Sequence, residues 1–302
     1  MKDFLLKGML LFAFCSVVAS CAQNEEIEVT PKEVKEVTVT THFAATTRAT
    51  IIQENMELFF TVYNSTTGEI VEKSTSNLQN LSSSGETSVT LTLQLEQGLS
   101  YDIAFWAQPK GLDCYNVSDL KAIKIDYTKC LANNTHRNVF YGNVSNLRTS
   151  QKDEVNVTLK NPFGKIEVLT TTEDVEAAST LGLNLDNMKS CMKVKGIATS
   201  FNALYGMAEG EKTSVSLLPS SIPTDIQTIK GKTYRLLASE YVLGFPNQAI
   251  DVEVELSSEN EQESLSFIAG KAWAQHEQTF TLYDRYLTSP IEFDIKIDSE
   301  IN

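Results

Sequence analysis

The chain has 302 residues and a formal net charge of −14. That acidity excludes a duplex nucleic-acid surface as the default, because phosphate binding needs clustered Lys and Arg. The acids are dispersed (Glu253, Glu255, Glu259, Glu261 and Glu263, for example), which serves solubility and keeps copies apart.

Lys2 and Lys7 flank a short charged start, and Met9 to Val18 is an almost unbroken apolar run. This is the layout of a secretory signal peptide, and the run is too short for a spanning helix. Nothing after Val18 is long and apolar enough to span a membrane. The small residues Ala19 and Ser20 stand directly before Cys21, which resembles the bacterial lipoprotein box. That resemblance implies cleavage between Ser20 and Cys21, diacylation of the Cys21 thiol (palmitate-type chains) and acylation of the new amino terminus. More than one acyl chain makes attachment stable, at about 0.8 kcal/mol per buried methylene. An ordinary secreted protein with a chance cysteine is the alternative. Residues 1–20 are thus read as the leader and 21–32 as an acidic tether. Glu25 and Glu26 resemble the surface-export signal of Bacteroidota lipoproteins, although any solvated linker carries such residues.

Val34 to Phe43 alternates, with Val37, Val39, Thr41 and Phe43 on one face, and predicts a half-buried strand. Thr46-Thr47-Arg48-Ala49-Thr50 follows as a loop with one arginine. Met56 to Tyr63 repeats the alternation, Asn64 to Gly68 turns the chain, and Thr75 to Glu86 reads as a Ser- and Asn-rich loop. Val89, Leu91, Leu93 and Leu95 make the cleanest alternating strand. Tyr101 to Gln108 is apolar on both faces and predicts a central strand, with Trp106 covered by a following loop. Leu120 to Tyr127, weakly over Leu120 and Ala122, then Val139 to Gly142 and Val155 to Leu159, complete the first half. Short strands separated by polar loops point to a β-sandwich.

Asn161-Pro162-Phe163-Gly164 is the best domain boundary, because proline removes a donor and glycine relaxes φ. The expected domains are therefore 33–160 and 161–302. The second half restarts with Ile166 and Val168. Thr171 to Ala178 offers an N-cap, early acids and helix formers, so a short helix is expected before Gly182. Strands are predicted at Lys193–Ile197, Ser214–Leu218, Thr233–Val242, Ile250–Leu256, Glu263–Ile268, Thr279–Tyr283 and Ile291–Ile297. The halves are similar in kind, without a residue-level repeat.

Chemistry-bearing patterns are sparse. His42, His136 and His276 stand in no metal-ligand or triad-like motif. Glu173 and Asp174 read as helix-start charges. Cys114, Cys130 and Cys191 remain beside Cys21. Cys114 and Cys130 bracket a loop-rich segment and could pair, or could be small apolar fillers. No paired CxxC points to zinc, and no cofactor is expected. The expectation is a non-enzymatic protein. If the chain binds a ligand, Trp106, Trp273, Tyr283 and Tyr286 are the candidate rim aromatics, against the commoner role of aromatics in cores.

Several blocks resemble the fimbrillin-like surface lipoproteins of Bacteroidales, a family related to type V pili. They are Leu99–Gln108 with its Phe-Trp-Ala-Gln, Asp119–Ile123, Val139–Gly142, Leu159–Ile166 with its Pro-Phe, Phe201-Asn202 with Gly206, Tyr234–Leu243 and Leu287-Thr288-Ser289. Asn161 and Gly164 stand where that family would have Arg and Ala. The resemblance implies an all-β chain of two transthyretin-like β-sandwich domains in tandem, with one or two short helices. It also implies a pilus or pilus-related protein in the outer membrane, serving adhesion to a host or glycan ligand. In the polymerising members an arginine-specific protease removes the first strand, and a neighbouring subunit supplies the replacement. Mapped here, Val34–Phe43 is the resident strand, Arg48 and Ala49 flank the cut, and the partners are other pilin subunits or copies of the chain. Ile291–Ile297 reads either as a donor strand or as the last strand of its own domain. A non-polymerising anchor or cap, and a surface module binding glycan or host protein, are the alternative readings.

Overall fold

The alternation around Val37, Val39 and Thr41 folds as expected: β1 spans Val34–Phe43, with these three residues turned inward. A computed structural model describes residues 32–43, 56–78, 88–129, 139–259 and 264–288. After β1 come β2 (Met56–Asn64), β3 (Ile70–Leu78), β4 (Ser88–Glu96), β5 (Ser100–Pro109), β6 (Tyr115–Asn116), β7 (Ile123–Ile125), β8 (Phe140–Arg148) and β9 (Glu154–Leu159). The chain continues with β10 (Gly164–Thr171), helix α1 (Thr172–Thr180), β11 (Met188–Ile197), β12 (Ser200–Asn202), β13 (Met207–Glu209) and β14 (Thr213–Ser216). It closes with β15 (Ser220–Ser221), β16 (Ile226–Ile229), β17 (Lys232–Val242), β18 (Ile250–Ser258), β19 (Ser264–Ala272) and β20 (Thr279–Asp284). The protein is all-β and sandwich-like. Among the described residues α1 is the one α-helix, beside short 3-10 turns at Tyr127–Lys129 and Leu185–Asn187.

The sheets repeat a topology that the residues conceal. One sheet has the order β4-β1-β9, and its counterpart contains β17-β10-β20. In each, the central strand runs antiparallel to its first partner and parallel to the last described strand of its half. The facing sheets, β3-β2-β5-β8 and β14-β11-β18-β19, match in order as well. What differs is inserted: β6 and β7 between β5 and β8, α1 after β10, β12 and β13 after β11, β15 paired with β11, and β16 beside β17.

Two large cores fill the layers, beside a small cluster of Leu169, Tyr234 and Leu236. Val37, Val39, Leu93, Leu95, Val157 and Leu159 from one sheet meet Leu58, Phe60, Ile103, Phe105 and Phe140 from the other. The second core belongs to both halves. Ala104 and Trp106, on the opposite face of β5, join Tyr115, Ile123 and Val139, and the cluster continues through Phe163 into Ile166, Val194, Leu237, Val254 and Phe267. β5 is thus a wall with a core on each side, which explains its two apolar faces. The insertions knit the halves further. β7 pairs with β12 in a small sheet of order β13-β12-β7-β6. The Tyr127 hydroxyl donates to the carbonyl of Ala198 (3.2 Å) and accepts from the amide of Leu243 (3.0 Å). The chain from Val34 onward forms one compact unit.

Two expectations need correction. The stretch read as a loop from Thr75 begins inside β3, where Thr75 pairs with Phe59 and Leu78 with Met56. The sequence there has no apolar alternation, and backbone pairing with β2 decides the conformation instead. Trp106 is fully buried. It is therefore a core residue and takes no part in a surface rim. Among the described residues no helix is long and apolar enough to cross a membrane.

Candidate functional site

The strand singled out by its sequence, β1, is central in its sheet and therefore has a hydrogen-bonding neighbour on each side. Val37 lies opposite Leu93, Val39 opposite Leu91 and Val155, Thr41 opposite Val89 and Val157, and Phe43 opposite Leu159. Val37 and Val39 are completely buried and Thr41 nearly so, with its hydroxyl 3.3 Å from the Val89 carbonyl it donates to. Phe43 is half-buried and meets Phe140 edge-on, ring centroids 4.9 Å apart. The inward face thus fills four successive pockets: two valine-sized, one with a carbonyl acceptor, and one aromatic. Burial of the two valines contributes about 3–6 kcal/mol together.

The outward face is polar and paired. Thr40 and Thr90 hydroxyls lie 3.3 Å apart, the Gln94 amide donates to Glu36 (3.2 Å), and the His42 ring contacts the Asn156 side chain (3.2 Å). Lys35, which lies on the inward alternation at the start of the strand, forms an ion pair with Asp153. Cys21, Ser20, Arg48, Ala49, Cys130, His136 and the Ile291–Ile297 segment lie outside the described residues.

The remaining candidate aromatics do not converge. Trp106 donates its indole N–H to Gln108 (3.0 Å) and packs on Tyr115 and Phe201. Tyr286 stacks on Phe267 (4.8 Å) and donates to the Ala269 carbonyl (3.0 Å), and burial pushes its hydroxyl pKa strongly upward. Tyr283 is edge-on to Tyr234. Trp273 is half-buried against Phe280. Cys114 and Cys191 are buried, and burial is the leading cause that raises the Cys191 thiol pKa. Among the described residues, no group of three or more His, Cys, Asp or Glu side chains is placed to hold a metal ion.

One polar cluster escaped sequence reasoning. Asp174, read as a helix-start charge, is fully buried. Its amide donates to the Thr171 cap (3.1 Å). Its carboxylate accepts from the Thr170 hydroxyl (2.6 Å), the Leu287 amide (2.7 Å), the Thr288 amide (3.1 Å) and the Thr288 hydroxyl, with Arg285 Nε at 3.8 Å. The chain leaving β20 is therefore gripped by the start of α1. The Thr-x-x-Asp spacing of a capping box was the visible signal, but its second partner lies more than 110 residues away.

The model of a family of unknown function, DUF6562, matches residues 24–302. The chain belongs to that family. No curated protein matches it. Among solved structures, this DUF6562 chain is similar to a candidate adhesin from Bacteroides thetaiotaomicron VPI-5482, at 15% identity and TM-score 0.46, covering 80% of this chain and 82% of that one. It is similar to a candidate cell adhesion protein from Bacteroides ovatus ATCC 8483, at 11% identity and TM-score 0.47, covering 90% and 99%. It is also similar to a fimbrial assembly protein from Parabacteroides distasonis ATCC 8503, at 14% identity and TM-score 0.42, covering 83% and 91%.

Proposed function

We propose that the chain is a lipid-anchored fimbrial subunit of the cell surface that loses its first strand at Arg48–Ala49, assembles by donor-strand exchange and serves adhesion. The position of β1 carries this reading. It is central, its inward side chains are the pocket-filling kind, and its loss would strip β4 and β9 of their shared neighbour. A replacement strand would gain main-chain hydrogen bonds on two sides and fill the same pockets, and an unfilled gap of that kind is an aggregation hazard. The leader, Ala19-Ser20-Cys21 and Glu25-Glu26 support anchoring in the outer membrane and exposure outside it. Other pilin subunits or copies of the chain are the partners, with a host or glycan ligand at the adhesive end, and the role is non-enzymatic.

The test is the amino-terminal residue of protein recovered from whole cells and from sheared surface material. A start at Ala49 in the sheared material is expected. A start at acylated Cys21 with no shorter form overturns strand removal. A non-polymerising anchor or cap is then the reading to adopt, favoured by the way Lys35–Asp153 and His42–Asn156 pin β1 near its two ends.

A further inference from the structure

The four pockets under β1 discriminate among strands. From Val37 to Phe43 they take valine, valine, threonine and phenylalanine. The first three positions are closed to solvent, so extra volume there has nowhere to go. The chain's own alternating C-terminal stretch, Ile291-Glu292-Phe293-Asp294-Ile295-Lys296-Ile297, offers only isoleucine and phenylalanine on its apolar face.

No register reconciles the two. Laid in the direction of β1 across all four pockets, the stretch puts Phe293 in the Val39 pocket. Reversed, it puts Phe293 in the Thr41 pocket, where the Val89 carbonyl also loses its hydroxyl donor. Sliding Phe293 into the aromatic pocket in the direction of β1 calls up Ser289 for the Val39 pocket and Leu287 for the Val37 pocket, and seats Pro290 where the strand needs an amide. Leu287 is already held by Asp174. The reversed slide places Ser299 in the closed Val37 pocket and isoleucine at the Thr41 position.

We infer that the strand replacing β1 comes from a different chain, one bearing two valine-sized residues, a hydroxyl residue and an aromatic at successive alternate positions, and not from the C-terminal stretch of a second copy; the one matching strand a second copy has, its own Val34–Phe43, is the strand that cleavage removes. This rests on the strand-replacement reading above. It makes the protein a junction between unlike subunits.

The test uses the full-length chain with a site for a sequence-specific protease placed within residues 44–50, so that β1 can be cut free while still seated. The cut protein is incubated with synthetic peptides, and release of the resident segment is followed by intact mass. A peptide of residues 32–45 is expected to displace it. A peptide of residues 287–300 is expected to exchange at least about tenfold less well, the size of one overpacked position. The same peptide carrying Ile291→Val, Phe293→Val, Ile295→Thr and Ile297→Phe is expected to recover. Equal exchange by the unaltered C-terminal peptide overturns the inference and leaves strand replacement standing. Failure of the 32–45 peptide to exchange overturns strand replacement itself, and the inference with it.

Discussion

Asp174 shows how much one carboxylate can organise. A charge at the third position of a helix ordinarily faces water and interacts with the helix dipole. Here it is fully enclosed and gathers donors from the segment that follows β20. Removing the acceptor leaves the bond from the buried Thr170 hydroxyl unmade, at about 1–3 kcal/mol, and frees the part-buried Leu287 and Thr288 donors, which water can partly satisfy. Asp174→Asn keeps one oxygen but turns an N–H₂ toward groups that themselves donate. The variant is expected to unfold at lower temperature and to release the Arg285 region. Trypsin cleavage after Arg285, followed by intact mass, is expected to quicken relative to the parent. Unchanged cleavage would mean that the clamp does not hold this segment.

At the scale of elements, β10 meets the loop after β19 backbone to backbone. A Cβ on Gly164 would lie 2.6 Å from Ala274 Cα and 2.8 Å from the Gln275 amide, and one on Gly244 would lie 2.4 Å from the Ala274 carbonyl oxygen. The departure from alanine noted at Gly164 is thus a packing requirement. Gly164→Ala is expected to cost about 1–3 kcal/mol, as overpacking does when the neighbour is backbone, and a denaturant titration reads this directly. Sequence patterns located the elements unevenly, for physical reasons. β1, β4 and β5 were legible because burial on one or two faces writes itself into alternation or a continuous apolar run. β3 and β16 were not, because Ile70, Val71 and Ile226 are exposed there and no inward apolar alternation is written. The site was legible as a strand with alternating pocket residues. The Asp174 clamp and the core position of Trp106 depended on pairing across the chain, which no local window contains.

For the molecule as a whole, the continuous core through β5 and Phe163 argues against independent halves. His276 lies at that junction, edge-on to Tyr141 and Phe201, with Glu277 and Lys160 as the charged groups acting on it. Burial is the leading cause that lowers its pKa, with Lys160 acting the same way and Glu277 opposing. A lowered folded-state value means the unfolded chain binds the proton more readily. The stability from neutral His276 is therefore complete above the ordinary histidine pKa of about 6.5 and is lost as pH falls below it. The melting temperature is expected to drop more between pH 7.5 and 5.5 in the parent than in His276→Gln, and parallel declines would count against this role. β1 has a further consequence, one of timing. It is made before every strand it pairs with, and its contact with β9 spans 114 residues at His42 and Asn156. Such long-range pairing is slow to form, because loop closure precedes any gain. The docking of β1 is therefore expected to be a late step of folding, with φ-values near zero for Val37→Ala and Val39→Ala as the measurement that checks it. An incoming strand from outside would be completing the same last step.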